Sequence, residues 1–283
     1  MSADTPAGDA GGGTPSPPTR VRRLLPGPIT AGSAVAVVLA WQSLSLAFPP
    51  YRFPGLVRLA GNVAVVVSGT GTFDPVVHYG ATLGRVLAGF AVSFLLAAAW
   101  GFGMGLRPAA EDYLGAPLFA LLTVPSVVWA FLGVLWFGLT EHLVPLFVIV
   151  LVVFPYLAVV LWEGVGAVDD RLVEMARAFD ASAAETWRHV YLPQLLPSLF
   201  AATRLGLALA WKLALVAEVF GAATGVGVVV KFHFENFDTG MVIAWAVPAM
   251  LLMVAVERLL GRAERRAARW RPGASPDAGV APE

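Results

Sequence analysis

The sequence predicts an all-α membrane protein with about six transmembrane helices, and three observations carry that prediction. Of its 283 residues, 58% are apolar and 13% charged, where an ordinary soluble domain has roughly 45–50% and about 25%; this excludes a soluble enzyme. Segments 24–51, 86–106, 113–140 and 143–162 contain no Asp, Glu, Lys or Arg, and each reaches the roughly 20 apolar residues that cross a bilayer. Nineteen basic and nineteen acidic residues cancel. No basic patch remains beyond the membrane-flanking arginines, so nucleic acid is not an expected partner. The absence of cysteine removes disulfides, thiol nucleophiles and cysteine-held metal.

In chain order, residues 1–24 are rich in Gly, Pro, Ser and Thr and read as a disordered tail, lacking the apolar surface that offsets ordering entropy. Arg20, Arg22 and Arg23 before an apolar run also fit a secretory leader, but the run is long for one and further spans follow. The membrane domain is expected over 25–262 and a second tail over 263–283. Spans are placed at about 29–48, 81–106, 114–138, 143–162, 195–222 and 240–260. Between the first two, residues 51–79 are punctuated by Pro54, Gly71 and Pro75 and read as a short amphipathic helix on the outer surface. Between the last two, GAATGVGVVVKFHFENFDTG (221–240) is too polar for a span and too apolar for a free loop. It is either re-entrant, with its backbone buried by protein, or an outer loop carrying a short helix.

Six spans place both termini on one side. Thirteen of the nineteen basic residues fall there, and only Arg52, Arg58, Arg85 and Lys231 lie toward the other side. Because Lys and Arg accumulate in cytoplasmic loops, both termini are expected in the cytoplasm.

The longest cytoplasmic excursion, 163–193, has helical design. Leu172, Val173, Ala176 and Phe179 recur at helical spacing opposite Arg171, Glu174 and Arg177. Ser182 followed by Glu185 matches a capping box, which starts a second helix at about 183–190. Pro193 follows Leu192 and is expected to reset the chain before the fifth span. Two short helices turning near Asp180 form a knob shaped for a groove in another protein.

EMARAFDASAAETWRHVYLP, residues 174–193, resembles the EAA loop of ATP-binding-cassette importer permeases: Glu-Ala-Ala, three residues, Gly, nine residues, then Ile-x-Leu-Pro. Glu174, Ala176, Leu192 and Pro193 match, and Val190 stands at the Ile position. HYGATLGRVLAGF from His78, VPSVVWAFLGVLWFG from Val124 and RLGLALAWKLALVAEVFGAATGVG from Arg204 are similar to the branch importing nitrate, sulfonates, taurine and related compounds. The resemblance implies a type I importer permease fold in the bacterial inner membrane, with a translocation pathway for a small solute. It also implies separate ATPase subunits, an extracytoplasmic solute-binding protein and a permease homodimer in membrane lipid. The ATPase-coupling residues would be Glu174, Ala176, Asp180, Ala181, Ser182, Glu185, Leu192 and Pro193. Two positions depart from the pattern: Met175 replaces the first Ala, and Asp180 occupies the Gly position, where Gly would permit a left-handed backbone at little cost and Asp tolerates it with some strain.

Arg204, Lys212 and Glu218 fall inside the fifth span, where a charge costs about 2.5–3.5 kcal/mol, so they should face protein or water. Arg204 and Glu218 share a helix face but lie about 21 Å apart along the axis. They are candidates for pathway lining, as is Lys212, about 80° around the helix from Arg204 and placed to attract an anion; pairing with neighbouring helices is the alternative for all three. Arg85 reads as an interfacial residue reaching outward. Ser126, Trp129 and Trp136, after the helix-bending Pro125, are weaker pathway candidates beside ordinary packing. Gly101 and Gly105, and likewise Gly221 and Gly225, have the spacing that lets helices approach.

No G-x-x-x-x-G-K-[ST] phosphate loop occurs, so energy must come from a partner, and neither a cofactor nor a metal site with histidine spacing is expected. An ion-coupled secondary transporter is the competing class, but no internal repeat relates the two halves. An intramembrane hydrolase would need a converging nucleophile and base, and no His stands beside a Ser at helical spacing in the spans.

Overall fold

A computed structural model describes residues 28–267; the expected first tail, and the second beyond Ala267, lie outside them. The described residues form helices joined by short connections, with no strand among them. Four stretches are long and apolar enough to cross a membrane, and a bent helix pair makes a fifth.

α1 (Pro28–Ala47) carries no charge in 20 residues, and Val37, Leu39 and Leu46 stand exposed on it. It is tethered by the Trp41 indole N–H, which donates to the Pro54 carbonyl at 3.1 Å. α2 (Leu56–Ser68) is the amphipathic helix expected between the first two spans. Its buried Val66 packs in a small cluster with Val226, Val229, Ala244 and Trp245.

α3 (Pro75–Leu106) begins six residues before the expected span, because Asp74 caps it by accepting from the Val76 N–H at 2.8 Å and Pro75 fits its first turn. It lies against α6 (Leu143–Gly166), the most enclosed helix, with Val148, Ile149, Val153, Leu157, Ala158 and Leu161 wholly buried. Gly101 and Gly105 permit that contact as their spacing predicts. A Cβ on Gly101 would lie 2.6 Å from the Ala158 carbonyl, and one on Gly105 2.5 Å from Val165.

The span expected over 114–138, with a bend at Pro125, is a sharp elbow. α4 (Pro108–Thr123) and α5 (Ser126–Phe137) meet at 92°. Pro125 has no N–H to continue α4 and forces Val124 into extended backbone (φ −78°, ψ 123°). The elbow still runs the length of the bundle. Leu114 accepts from the Trp100 indole near the end of α3, while Phe131 packs edge-on against Phe220 at the far end.

A hairpin then leads to the longest helical run, which continues from Ala183 to Gly221 over 39 residues. It comprises α8 (Ala183–Thr186), a π-helical turn (Trp187–Tyr191) and α9 (Leu192–Gly221). Pro193 therefore does not reset the chain, contrary to expectation. The wider turn, in which the Leu192 N–H reaches back to the Trp187 carbonyl, absorbs the donor that proline lacks. Segment 221–240 forms α10 (Val226–Glu235), whose Val226, Gly227, Val229 and His233 are buried. α11 (Thr239–Ala267) closes the described chain and continues five residues past the expected domain boundary. The main core lies between α3, α6 and α9.

Candidate functional site

The hairpin is built by three local devices. Asp169 caps α7 (Asp170–Ala178), accepting from the Arg171 N–H at 2.9 Å. At the other end of α7, Ala181 N–H donates to the Ala176 carbonyl and Asp180 N–H to the Arg177 carbonyl, both at 3.0 Å. This is a Schellman motif with Asp180 left-handed at φ 51°. The aspartate thus adopts the conformation for which the family pattern uses glycine. Ala181 completes the motif by packing on Val173, Ala176 and Val190. Finally, Ser182 and Glu185 form the expected capping box. The Ser182 N–H donates to Glu185 Oε2 at 2.8 Å and the Glu185 N–H to Ser182 Oγ at 3.3 Å. The Ser182 hydroxyl, which donates to the same Oε2 at 2.7 Å, and then the Ser182 N–H hold the Glu185 carboxyl below its ordinary pKa.

One expectation for α7 is corrected. Its apolar residues form two faces, not one: Val173 and Ala176 are buried, while Leu172, Met175 and Phe179 stand exposed, Phe179 at 80%. Nine residues are too few to bury both stripes. Glu174 is exposed on the side of α7 away from the buried pair. The hairpin base is clamped to the bundle. Trp187 packs edge-on against Phe102 and stacks on Tyr191. Gln194 accepts from the Asp169 N–H at 3.0 Å while donating to the Val190 carbonyl at 3.1 Å. Leu192 is exposed and Pro193 half-buried.

At the opposite end of α9 lies a buried polar cluster. Arg85 is 3% exposed and Glu218 1%, and Arg85 Nη1 donates to Glu218 Oε1 and to the Thr224 carbonyl, both at 2.7 Å. Arg85 does not reach outward as expected: because α3 starts at Pro75, position 85 falls three turns inside the helix, on its protein-facing side. Three backbone donors at the start of α10 each meet a side chain from another helix. Gly225 N–H donates to His78 Nδ1 at 3.1 Å, Val226 N–H to Thr82 Oγ1 at 2.9 Å and Gly227 N–H to Glu218 Oε2 at 2.9 Å. A helix start leaves such donors orphaned, and a carboxylate there is further favoured by the helix dipole. Glu218 therefore serves as ion-pair partner and as a cap supplied from a distance. No spacing rule within 221–240 could have shown this, since Gly225 has no side chain to cap with.

The remaining candidates lie apart from this cluster. Arg204 is exposed and paired with Glu264 of α11. Lys212 is exposed on α9 and makes no ion pair among the described residues. Ser126 and Trp129 are half-buried at the elbow, with the Trp129 indole N–H enclosed and without a hydrogen-bond partner among the described residues. Trp136 is exposed and meets Phe147 edge-on.

A helical bundle with four or five stretches of this length and apolarity defines a multi-pass membrane protein. Residues 80–269 match the family model described as the binding-protein-dependent transport system inner membrane component, and the chain belongs to that family. Its members are transport components, not enzymes, and work with ATPase and solute-binding partners. Among curated relatives, the putative aliphatic sulfonates transport permease protein SsuC of Escherichia coli K12 is 31% identical over 69% of this chain and 74% of its own. The taurine transport system permease protein TauC of the same organism is 24% identical over 86% and 89%. The riboflavin transport system permease protein RibX of Chloroflexus aurantiacus is 28% identical over 83% and 87%. The fold is similar to a chain of an amino acid ABC transporter solved with histidines (TM-score 0.58, 17% identity, covering 74% of this chain and 97% of that one). It is also similar to a chain of the inward-facing MetNI methionine ABC transporter (TM-score 0.53, 15% identity, 76% and 98%).

Proposed function

We propose that the hairpin is the coupling element of this permease, docking its exposed stripe of Leu172, Met175 and Phe179, together with the exposed Glu174, into a groove of the ATPase subunit. The single observation that supports this reading is the stripe itself: large apolar side chains held in solvent on a hairpin whose own core is filled. Ala176, Asp180, Ala181, Ser182 and Glu185 shape the hairpin. Leu192 and Pro193 join it to α9, so that displacement of the hairpin moves the whole run from Ala183 to Gly221. Both termini then face the cytoplasm, as the arginine distribution favours.

Two copies would surround a shared pathway, the simpler assembly for a chain with one set of spans and one hairpin. Lys212 lines that pathway with Ser126, Trp129 and Trp136 near the elbow, while Arg204 and Glu218 serve as partners of Glu264 and Arg85. An unpaired lysine within a span favours a small anion, and two of the relatives above are named for taurine and aliphatic sulfonates. An extracytoplasmic binding protein would deliver it.

The test is ATP-dependent uptake by the complex reconstituted in liposomes. Phe179→Asp, or deletion of 176–185, is expected to leave the protein inserted but to abolish uptake, and unchanged uptake would refute the coupling role. Lys212→Ala is expected to weaken uptake of a sulfonate such as taurine, with unaltered kinetics counting against an anionic cargo.

A further inference from the structure

At the hairpin end of the bundle, Arg204 of α9 and Arg258, Arg262 and Arg265 of α11, with Glu257 and Gly261, line a cavity of about 380 Å³. Arg258, Arg262 and Arg265 follow one another at steps of four and three residues, so helical geometry sets them on one face. None of these three makes an ion pair among the described residues. Gly261 leaves room for a guanidinium: Arg265 Nη1 lies 3.4 Å from where a Cβ would stand. Three unpaired guanidinium groups beside a single open carboxylate, Glu257, form a site for an anion, and their forked donors suit phosphate oxygens.

The walls narrow the choice of anion. Leu251, two helical turns before Arg258 on the same face of α11, is exposed, as are Leu259 next to Arg258 and Leu205 next to Arg204. A soluble anion has no use for those leucines, whereas an amphiphile fills both parts at once. Basic pockets between spanning helices at the membrane surface are suited to such headgroups. We propose that this cavity binds the phosphodiester headgroup of an anionic phospholipid, with its acyl chains lying along Leu251, Leu259 and Leu205. The site is separate from the hairpin and from Lys212, so it stands or falls independently of the coupling and cargo readings.

The experiment is native mass spectrometry of the purified full-length protein after reconstitution in equal phosphatidylglycerol and phosphatidylcholine, followed by mild detergent extraction. Phosphatidylglycerol is expected to be retained over phosphatidylcholine. Each arginine neutralised should lower that retention about fivefold, so that Arg258→Gln with Arg262→Gln lowers it about twenty-fivefold. Lysine at both positions should restore most of it, and Arg107→Gln, at the same end but outside the cavity, should change nothing. If the double variant fails to purify, the exposed Arg265→Gln alone should show the fivefold loss. Equal retention of the two lipids, unchanged retention in the glutamine variants, or release of the bound lipid by millimolar inorganic phosphate would overturn the assignment, the last by making the ligand a soluble anion.

Discussion

The long helical run from Ala183 to Gly221 ends on two turns that pass through left-handed backbone under very different conditions. At the hairpin, Asp180 holds φ 51° in solvent, and every hydrogen bond that shapes the turn comes from within a dozen residues. At the other end, Gly225 holds φ 118° with no room beside it: a Cβ there would stand 2.3 Å from the Glu218 carboxyl carbon. The first turn tolerates a side chain at a modest cost in strain; the second excludes one. Water satisfies whatever the hairpin leaves open, whereas the buried cluster must satisfy Arg85, Glu218 and three backbone donors internally. That difference sets the expected worth of each contact.

The hardest test of the contrast is Glu218→Ala, which strands Arg85 in the interior and uncovers the Gly227 N–H. It is expected to cost about 3–5 kcal/mol, read as an early thermal transition of the detergent-purified protein. Removing both charges, as Arg85→Met with Glu218→Met, should recover most of that loss. If Glu218→Ala melts no earlier than the exposed Glu174→Ala, the two ends do not differ in the way described. Next in size is Gly225→Ala, which adds backbone strain of about 1–2 kcal/mol to a steric clash and should detach the start of α10. Its mirror test, Asp180→Gly, should stabilise the hairpin by up to about 1 kcal/mol, seen as slower amide exchange over residues 176–182.

Smaller effects belong to the capping box. Ser182→Ala should cost about 1 kcal/mol and speed exchange of the amides that follow it, without shifting the main melting transition. The pH dependence has a defined sign. Glu185 is held below its ordinary pKa by Ser182, so its contribution is complete above the ordinary carboxylate range and fades as pH falls through the lowered value. Protection factors over residues 183–186, with the intrinsic slowing of exchange in acid divided out, should therefore fall on acidification in the native protein and lose that dependence in Glu185→Gln. An acid-insensitive native hairpin would remove the carboxylate from the cap.

The same division between local and distant contacts explains what could be read from the sequence. The Ser182–Glu185 box, the turn at Asp180 and the close approach at Gly101 and Gly105 were legible because each is a short-range pattern with one geometric solution. The start of α10 was not, since its caps come from His78 and Thr82, 147 and 144 residues away from the groups they receive. Arg85 was misplaced by an error of six residues in where α3 begins, enough to move it from a membrane surface into the interior. Periodicity identified α7 as amphipathic but could not tell which of two apolar stripes a nine-residue helix buries. Pro125 was recognised as a bend, yet its 92° angle depends on what α4 and α5 each pack against.

Where α6 presses its Ala158 carbonyl onto Gly101 and its Val165 side chain onto Gly105, no side chain of α3 cushions the contact. Sliding one helix past the other by a single residue would drive Leu161 and Val165 into the neighbouring main chain, so the pair is keyed like a shaft in its hub. Such a block turns as a unit and has no seam through its middle. Any opening must therefore form outside the contact between α3 and α6.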